Sequence, residues 1–162
     1  MLLPATTSSV DETRDLGAAL SSLARPGDLV VLAGDLGAGK TALVQGLGRG
    51  LGVEQRITSP TFTLVHVYED GRLPVHHLDV YRLDQLSEAL DLGLAEMLDD
   101  GGVVVIEWGD AITPVLPHDY LEVRLTFGEG DDDRLLAFRT VGPRWAGRAG
   151  QLTDVLAPWT QR

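Results

Sequence analysis

Residues Gly34-Asp35-Leu36-Gly37-Ala38-Gly39-Lys40-Thr41 satisfy the pattern G-x-x-x-x-G-K-[ST], and the chemistry of that pattern is the capture of phosphate. Glycines let the backbone wrap closely around an anion, so that the loop N–H groups point inward. The Lys40 ammonium should reach the β- and γ-phosphates of a nucleotide, and the Thr41 hydroxyl should ligate Mg²⁺. Lys40 is the single lysine among 13 basic residues; all the others are arginines. A compact ammonium suits a point contact between two phosphates better than a wide guanidinium does. At this chain's composition the pattern would arise by chance with a frequency on the order of 10⁻³, so coincidence is a poor account of it.

A phosphate loop needs a carboxylate at the end of a neighbouring buried strand, to hold Mg²⁺ directly or through water. Glu107 closes the apolar run Val103 to Ile106 and stands where such a group belongs. Asp is the usual residue, and the longer Glu implies a different reach. Asp79, within His77-Leu78-Asp79-Val80-Tyr81-Arg82, is a second carboxylate that could bind the ion through water or orient an attacking water. Its plainer reading is a capping Asp or an ion pair with Arg82. The hydroxyl-rich segment Thr58-Ser59-Pro60-Thr61-Phe62-Thr63 could sense a terminal phosphate as switch loops do, or simply form a rigid turn into a strand. His66, His76 and His77 do not make a metal site, because adjacent histidines on a strand point to opposite faces.

These groups need elements to hold them. Leu16, Ala19, Leu20 and Leu23 recur at helical spacing over Asp11 to Ala24, with Ser9 as N-cap. Leu29 to Ala33 is apolar throughout, the mark of a strand buried on both faces, and runs directly into the glycine loop. From Lys40 to about Leu51 the stripe Leu43, Val44, Leu47 and Leu51 is helical again. Phe62 to Tyr68 and Leu73 to Tyr81 predict a hairpin turning at Asp70-Gly71. A helix over Leu86 to Leu98, broken at Gly93, precedes a second strand apolar on both faces at Val103 to Ile106. Leu121 to Phe127 and Leu135 to Val141 predict an antiparallel pair around the acidic turn Glu129 to Asp133, and a last helix should run from about Arg144 to Leu156. The expected fold is α/β: a mixed, mostly parallel sheet with two buried parallel strands, flanking helices and an antiparallel C-terminal strand pair, as in P-loop nucleoside triphosphatases.

Composition narrows the function. At 162 residues a chain buries about 70% of its unfolded surface, so a single domain over residues 1–162 is expected. The absence of cysteine removes disulfides, thiolate metal sites and thiol nucleophiles. A cytoplasmic setting fits best, since no apolar stretch is long enough to span a bilayer and the N-terminus has no signal-peptide pattern. The net charge of −11 argues against stable direct binding to nucleic acid, which is driven by cations displacing phosphate counterions.

Taken together, Thr13-Arg14-Asp15-Leu16-Gly17, the glycine loop, Ser59-Pro60-Thr61-Phe62-Thr63-Leu64-Val65, His77-Leu78-Asp79-Val80-Tyr81-Arg82-Leu83 and Ile106-Glu107-Trp108 closely resemble the words of the bacterial TsaE (YjeE) family. Their order and spacing are similar too, over about residues 11 to 140. The resemblance implies a P-loop ATPase required for threonylcarbamoyl modification of the tRNA adenosine next to the anticodon. In that family ATP hydrolysis supports turnover of a TsaD–TsaB transferase assembly, and tRNA is held by those partners. By the same resemblance, Asp35, Leu36, Gly37, Ala38, Gly39, Lys40, Thr41 and Ala42 would bind the nucleotide, Thr41 and Glu107 would hold Mg²⁺, and Asp79 and Thr61 would lie by the γ-phosphate. Thr13 and Arg134 match positions on the adenine side. Trp108 would pack near the site or against a partner. Ala42 and Phe62 depart from the family's frequent Thr and Tyr, and residues Arg144 to Arg162 match nothing diagnostic. Two other functions remain open at this point: a small-molecule kinase, although no Arg-rich lid insertion is present, and a nucleotide-gated binding module without relevant hydrolysis.

Overall fold

The computed structural model describes residues 2–35, 37–59, 65–80, 93–107 and 116–160. Along the chain run β1 (Leu2–Thr7), α1 (Val10–Leu20), β2 (Leu29–Gly34), α2 (Lys40–Gly50), β3 (Val65–Tyr68), β4 (Val75–Asp79), α3 (Leu94–Asp99), β5 (Val103–Glu107), β6 (Tyr120–Phe127), β7 (Arg134–Val141), α4 (Pro143–Ala146) and α5 (Ala149–Thr160). The strands form one sheet in the order β1-β7-β6-β2-β5-β4-β3. Its centre, β6-β2-β5-β4, is parallel, and antiparallel strands close both sides.

β2 and β5 lack polar alternation because each has two covered faces. Val30, Leu32, Val103 and Val105 pack with Leu16 and Leu20 of α1, Leu43, Val44 and Leu47 of α2, and Leu152 and Leu156 of α5. Leu29, Val31, Val104 and Ile106 pack on the opposite face with Leu78, Leu94, Leu116 and Tyr120. Each fully buried aliphatic side chain is worth about 1.5–3 kcal/mol, and a one-residue slip of either strand would exchange its two faces. The register that places the strand ends is thereby held.

α1 starts as expected: Ser9 Oγ accepts from Glu12 N at 3.0 Å, and Glu12 Oε2 accepts from Ser8 N at 2.7 Å. It lies directly against α2, backbone on backbone. A Cβ on Gly17 would stand 2.4 Å from the Leu43 carbonyl oxygen, and one on Gly46 would stand 1.9 Å from that of Arg14. Only glycine permits this approach.

The structure corrects four sequence expectations. β1 was absent from them, since Pro4 and the threonines mask a strand. Pro4 is tolerated there because β1 lies at the sheet edge, paired only with β7. The parallel strands number four, because β4 and β6 join β5 and β2. The first helix gives way after Leu20 to a 3₁₀ turn over Ser21–Leu23. The last helix divides into α4 and α5. The hairpin of β3 and β4 and the antiparallel pair of β6 and β7 are as expected; residues 62–64 and 81 of the expected hairpin, and 86–92 of the helix expected before β5, lie outside the described residues.

Candidate functional site

The glycine loop joins β2 to α2. Gly37 has φ of +84° and Gly39, the N-cap of α2, has φ of +105°. A side chain would strain either position by about 1–2 kcal/mol. Because Gly39 offers no capping side chain, the first-turn N–H groups of α2 are left for an anion at the positive end of the helix dipole. The Lys40 ammonium arches back over the loop and donates to the Gly34 carbonyl at 2.8 Å.

Sheet register brings the carboxylates to the same place. Glu107 is the register partner of Leu32 on one side and of Asp79 on the other. Strand alternation puts both carboxylates on the face that carries Val75, Val103 and Val105, the face covered by α2. The longer reach implied by Glu is used to cross from β5 to the first turn of α2. Thr41 Oγ1 donates to Glu107, with Oε1 at 3.1 Å and Oε2 at 3.2 Å. Glu107 is only 3% exposed, so its charge needs such partners. A second is His77, whose Nε2 bonds Glu107 Oε2.

Asp79 is half-buried. Ser59 Oγ donates to its Oδ2 at 2.5 Å, so one hydroxyl of the Thr58–Thr63 segment engages this carboxylate. Burial pushes the Asp79 carboxyl above the usual carboxylate range and the neighbouring Glu107 charge pushes the same way, while Ser59, Lys40 and His77 oppose them. Lys40 and Glu107 are therefore both within electrostatic reach of Asp79.

Mg²⁺ suits this arrangement. It takes hard oxygen donors and commonly binds through one or two carboxylates together with substrate phosphates and water, without an all-protein cage. Thr41 and Glu107 are oxygen donors in mutual contact beside the loop, with Asp79 next to them. Among the described residues no group of three or more His, Cys, Asp or Glu could hold a metal by itself.

On the other side of the loop lies a cleft of about 620 Å³ between the end of β1 and the β6–β7 hairpin, with Thr7, Ser8, Phe127, Arg134 and Leu135 on its walls. Its size is in the range of small-ligand pockets. The Arg134 guanidinium lies 4.8 Å from the centre of the Phe127 ring and donates to the Gly37 carbonyl at 3.3 Å, tying the cleft to the loop. Thr13 is buried below, its hydroxyl 2.7 Å from that of Thr7.

Of the residues singled out from sequence, Lys40, Thr41, Asp79 and Glu107 converge on one side of the loop. Thr13 and Arg134 lie on the other, with Asp35, Gly37, Ala38, Gly39 and Ala42 between. Leu36, Thr61, Arg82 and Trp108 lie outside the described residues. Sequence reasoning missed the bonds that His77 and Ser59 make and the ring of Phe127. For His77 a signal existed, since a residue two before Asp79 on a strand shares its face.

The sequence model of the family described as "Threonylcarbamoyl adenosine biosynthesis protein TsaE" matches residues 7–135. The chain belongs to the TsaE family. A tRNA threonylcarbamoyladenosine biosynthesis protein TsaE from Bacillus subtilis is 42% identical over 139 residues, 86% of this chain and 86% of the relative. Its counterpart in Streptomyces coelicolor is 45% identical over 140 residues, 82% and 93% of the two chains. The crystal structure of Bacillus subtilis YdiB is similar over 95% of both chains, with a TM-score of 0.78 at 36% identity, and the fold is that of a P-loop nucleoside triphosphatase. The TsaE match begins at the end of β1 and stops at the start of β7, so α4 and α5 lie beyond it. No helix among the described residues is long and apolar enough to cross a membrane.

Proposed function

We propose that this chain is an ATPase of tRNA threonylcarbamoyladenosine formation, a single cytoplasmic nucleotide-binding unit over residues 1–162 that hydrolyses ATP to support turnover of a TsaD–TsaB transferase assembly. The observation that carries this reading is the convergence of Lys40, Thr41, Glu107 and Asp79 at the carboxyl ends of β2, β4 and β5, where open α/β sheets bind their ligands. Residues Asp35 to Ala42 bind the triphosphate through loop N–H groups, and Lys40 Nζ donates to oxygens of its β- and γ-phosphates. Thr41 Oγ1 and a Glu107 carboxylate oxygen hold Mg²⁺, which when bound neutralises charge on those phosphates. Asp79, with Oδ2 held by Ser59, orients the attacking water and accepts its proton at Oδ1; Thr61 acts near the same phosphate. The cleft beside Phe127 takes the adenine, with the Arg134 guanidinium against the base and Thr13 supporting Thr7 beneath it. With a net charge of −11, tRNA is left to the partner proteins.

The test is phosphate release from ATP by the chain alone and with TsaD and TsaB. Hydrolysis should be slow alone and faster in the assembly, and equal rates would count against the reading. Lys40→Ala should weaken ATP binding by about 10- to 100-fold in a calorimetric titration, the equivalent of losing a charged hydrogen bond of about 1.5–3 kcal/mol. Appearance of a phosphorylated metabolite in place of free phosphate would favour a kinase.

A further inference from the structure

His77 is completely buried, yet it is an imidazole on a strand whose other buried members, Val75 and Leu78, are apolar. It stands two residues before Asp79 on β4 and pairs in register with Val105, two residues before Glu107. The Glu107 side chain turns back along its strand, and the two groups meet on the diagonal, Nε2 of His77 against Oε2 of Glu107. The other ring nitrogen, Nδ1, has no hydrogen-bond partner among the described residues. A proton on Nδ1 would be a buried donor without an acceptor, whereas a proton on Nε2 has a carboxylate to receive it. The ring is thus held as an Nε2–H donor. As core filling alone it would be a poor choice, since an apolar side chain of similar size leaves no buried nitrogen unsatisfied.

We infer that His77 is a positioning residue for Mg²⁺, fixing the Glu107 carboxylate so that its remaining lone pairs and those of Thr41 Oγ1 face the phosphate loop. The inference rests on the proposed role of Thr41 and Glu107 as the metal pair. Two donors pin the carboxylate. With its own proton directed to Glu107, Thr41 Oγ1 turns its lone pairs away from β5. With Oε2 engaged by His77, the carboxylate cannot rotate freely about its last torsion. Partners of this kind around metal ligands commonly govern affinity by about 10- to 100-fold.

The experiment is a calorimetric titration of the intact chain with β,γ-imido-ATP, with and without Mg²⁺, on the wild type, His77→Leu and His77→Gln. The Gln amide nitrogen occupies the place of Nε2 and keeps the donor; Leu fills the volume without one. Wild type should bind more tightly with Mg²⁺. His77→Leu should lose about 10- to 100-fold of that magnesium-dependent gain while its magnesium-free affinity is unchanged, and His77→Gln should recover most of it. A full gain in His77→Leu, or no recovery in His77→Gln, overturns the inference. If wild type binds nucleotide with no gain from Mg²⁺, the assignment of Thr41 and Glu107 fails first and the inference with it. If wild type binds no nucleotide at all, the proposed function itself fails. Thermal unfolding verifies that each variant is folded. Should His77→Leu not fold, His77→Asn takes its place, because its amide matches Nδ1 and falls short of Glu107, and it should lack the gain that His77→Gln keeps.

Discussion

Asp79 separates a structural carboxylate from a chemical one. Burial raises its carboxyl above the usual range, so the folded state binds a proton that the unfolded chain has already released. The charged form therefore opposes folding above the folded value, and the penalty vanishes below the unfolded one. Asp79→Asn keeps an acceptor for Ser59 and removes the charge. It should raise the unfolding temperature at pH 7, with the advantage shrinking as pH falls toward about 4, and it should abolish ATP hydrolysis. A capping Asp would behave in the opposite way, losing stability on substitution, so melting curves at the two pH values decide. Lys40, Thr41, Asp79 and Glu107 were legible in the sequence because residue type at a strand end or in a glycine loop is informative by itself. The bond of Ser59 was not, since an ordinary turn serine carries no local mark of what it faces; strand alternation puts His77 on the face of Asp79, but nothing local marks Glu107 as its partner.

At the scale of elements, the glycines of the α1–α2 contact matter as much as those of the loop. An added Cβ at Gly46 would stand 1.9 Å from the Arg14 carbonyl oxygen, a backbone atom that moves only with the whole helix. Gly46→Ala should cost about 1–3 kcal/mol or more in denaturant unfolding. It should weaken nucleotide binding too, because α1 carries Thr13 against the loop. Gly150 in α5 is the control, since an added Cβ meets nothing within 4 Å. Gly150→Ala should stabilise by about 0.5–1 kcal/mol, the helix preference for Ala alone. Helices and buried strands were readable because their periodicities are local. β1 was not, because an edge strand with one neighbour needs no alternating pattern and tolerates proline.

At the scale of the molecule, the C-terminal helices are anchored by a buried ion pair. Arg148, 2% exposed, donates through Nη1 and Nη2 to Asp28, at 2.8 and 2.6 Å, and through Nη1 to the Leu23 carbonyl at 2.7 Å. Its guanidinium lies 3.8 Å from the Trp145 ring centre. Asp28 immediately precedes β2, so the pair ties α4 and α5 to the strand that carries the phosphate loop. Arg148→Met leaves the Asp28 carboxylate buried without its main partner and should cost about 3–5 kcal/mol, measured by denaturant unfolding. Asp28→Asn combined with Arg148→Met should recover part of that loss, because the uncompensated charge is gone.

The amino-acid order alone determined the strand–loop–helix unit, the carboxylates at the two strand ends, the acidic surface and the absence of thiol chemistry, all of which depend on composition or on residues a few positions apart. Tertiary structure decided the rest. The Thr41–Glu107 contact joins residues 66 apart in the chain and the His77–Glu107 contact joins residues 30 apart. Both exist only because β2, β5 and β4 lie side by side in one register, with α2 across the same face. That arrangement is set by packing over both sides of the sheet, and no local periodicity encodes which strands become neighbours.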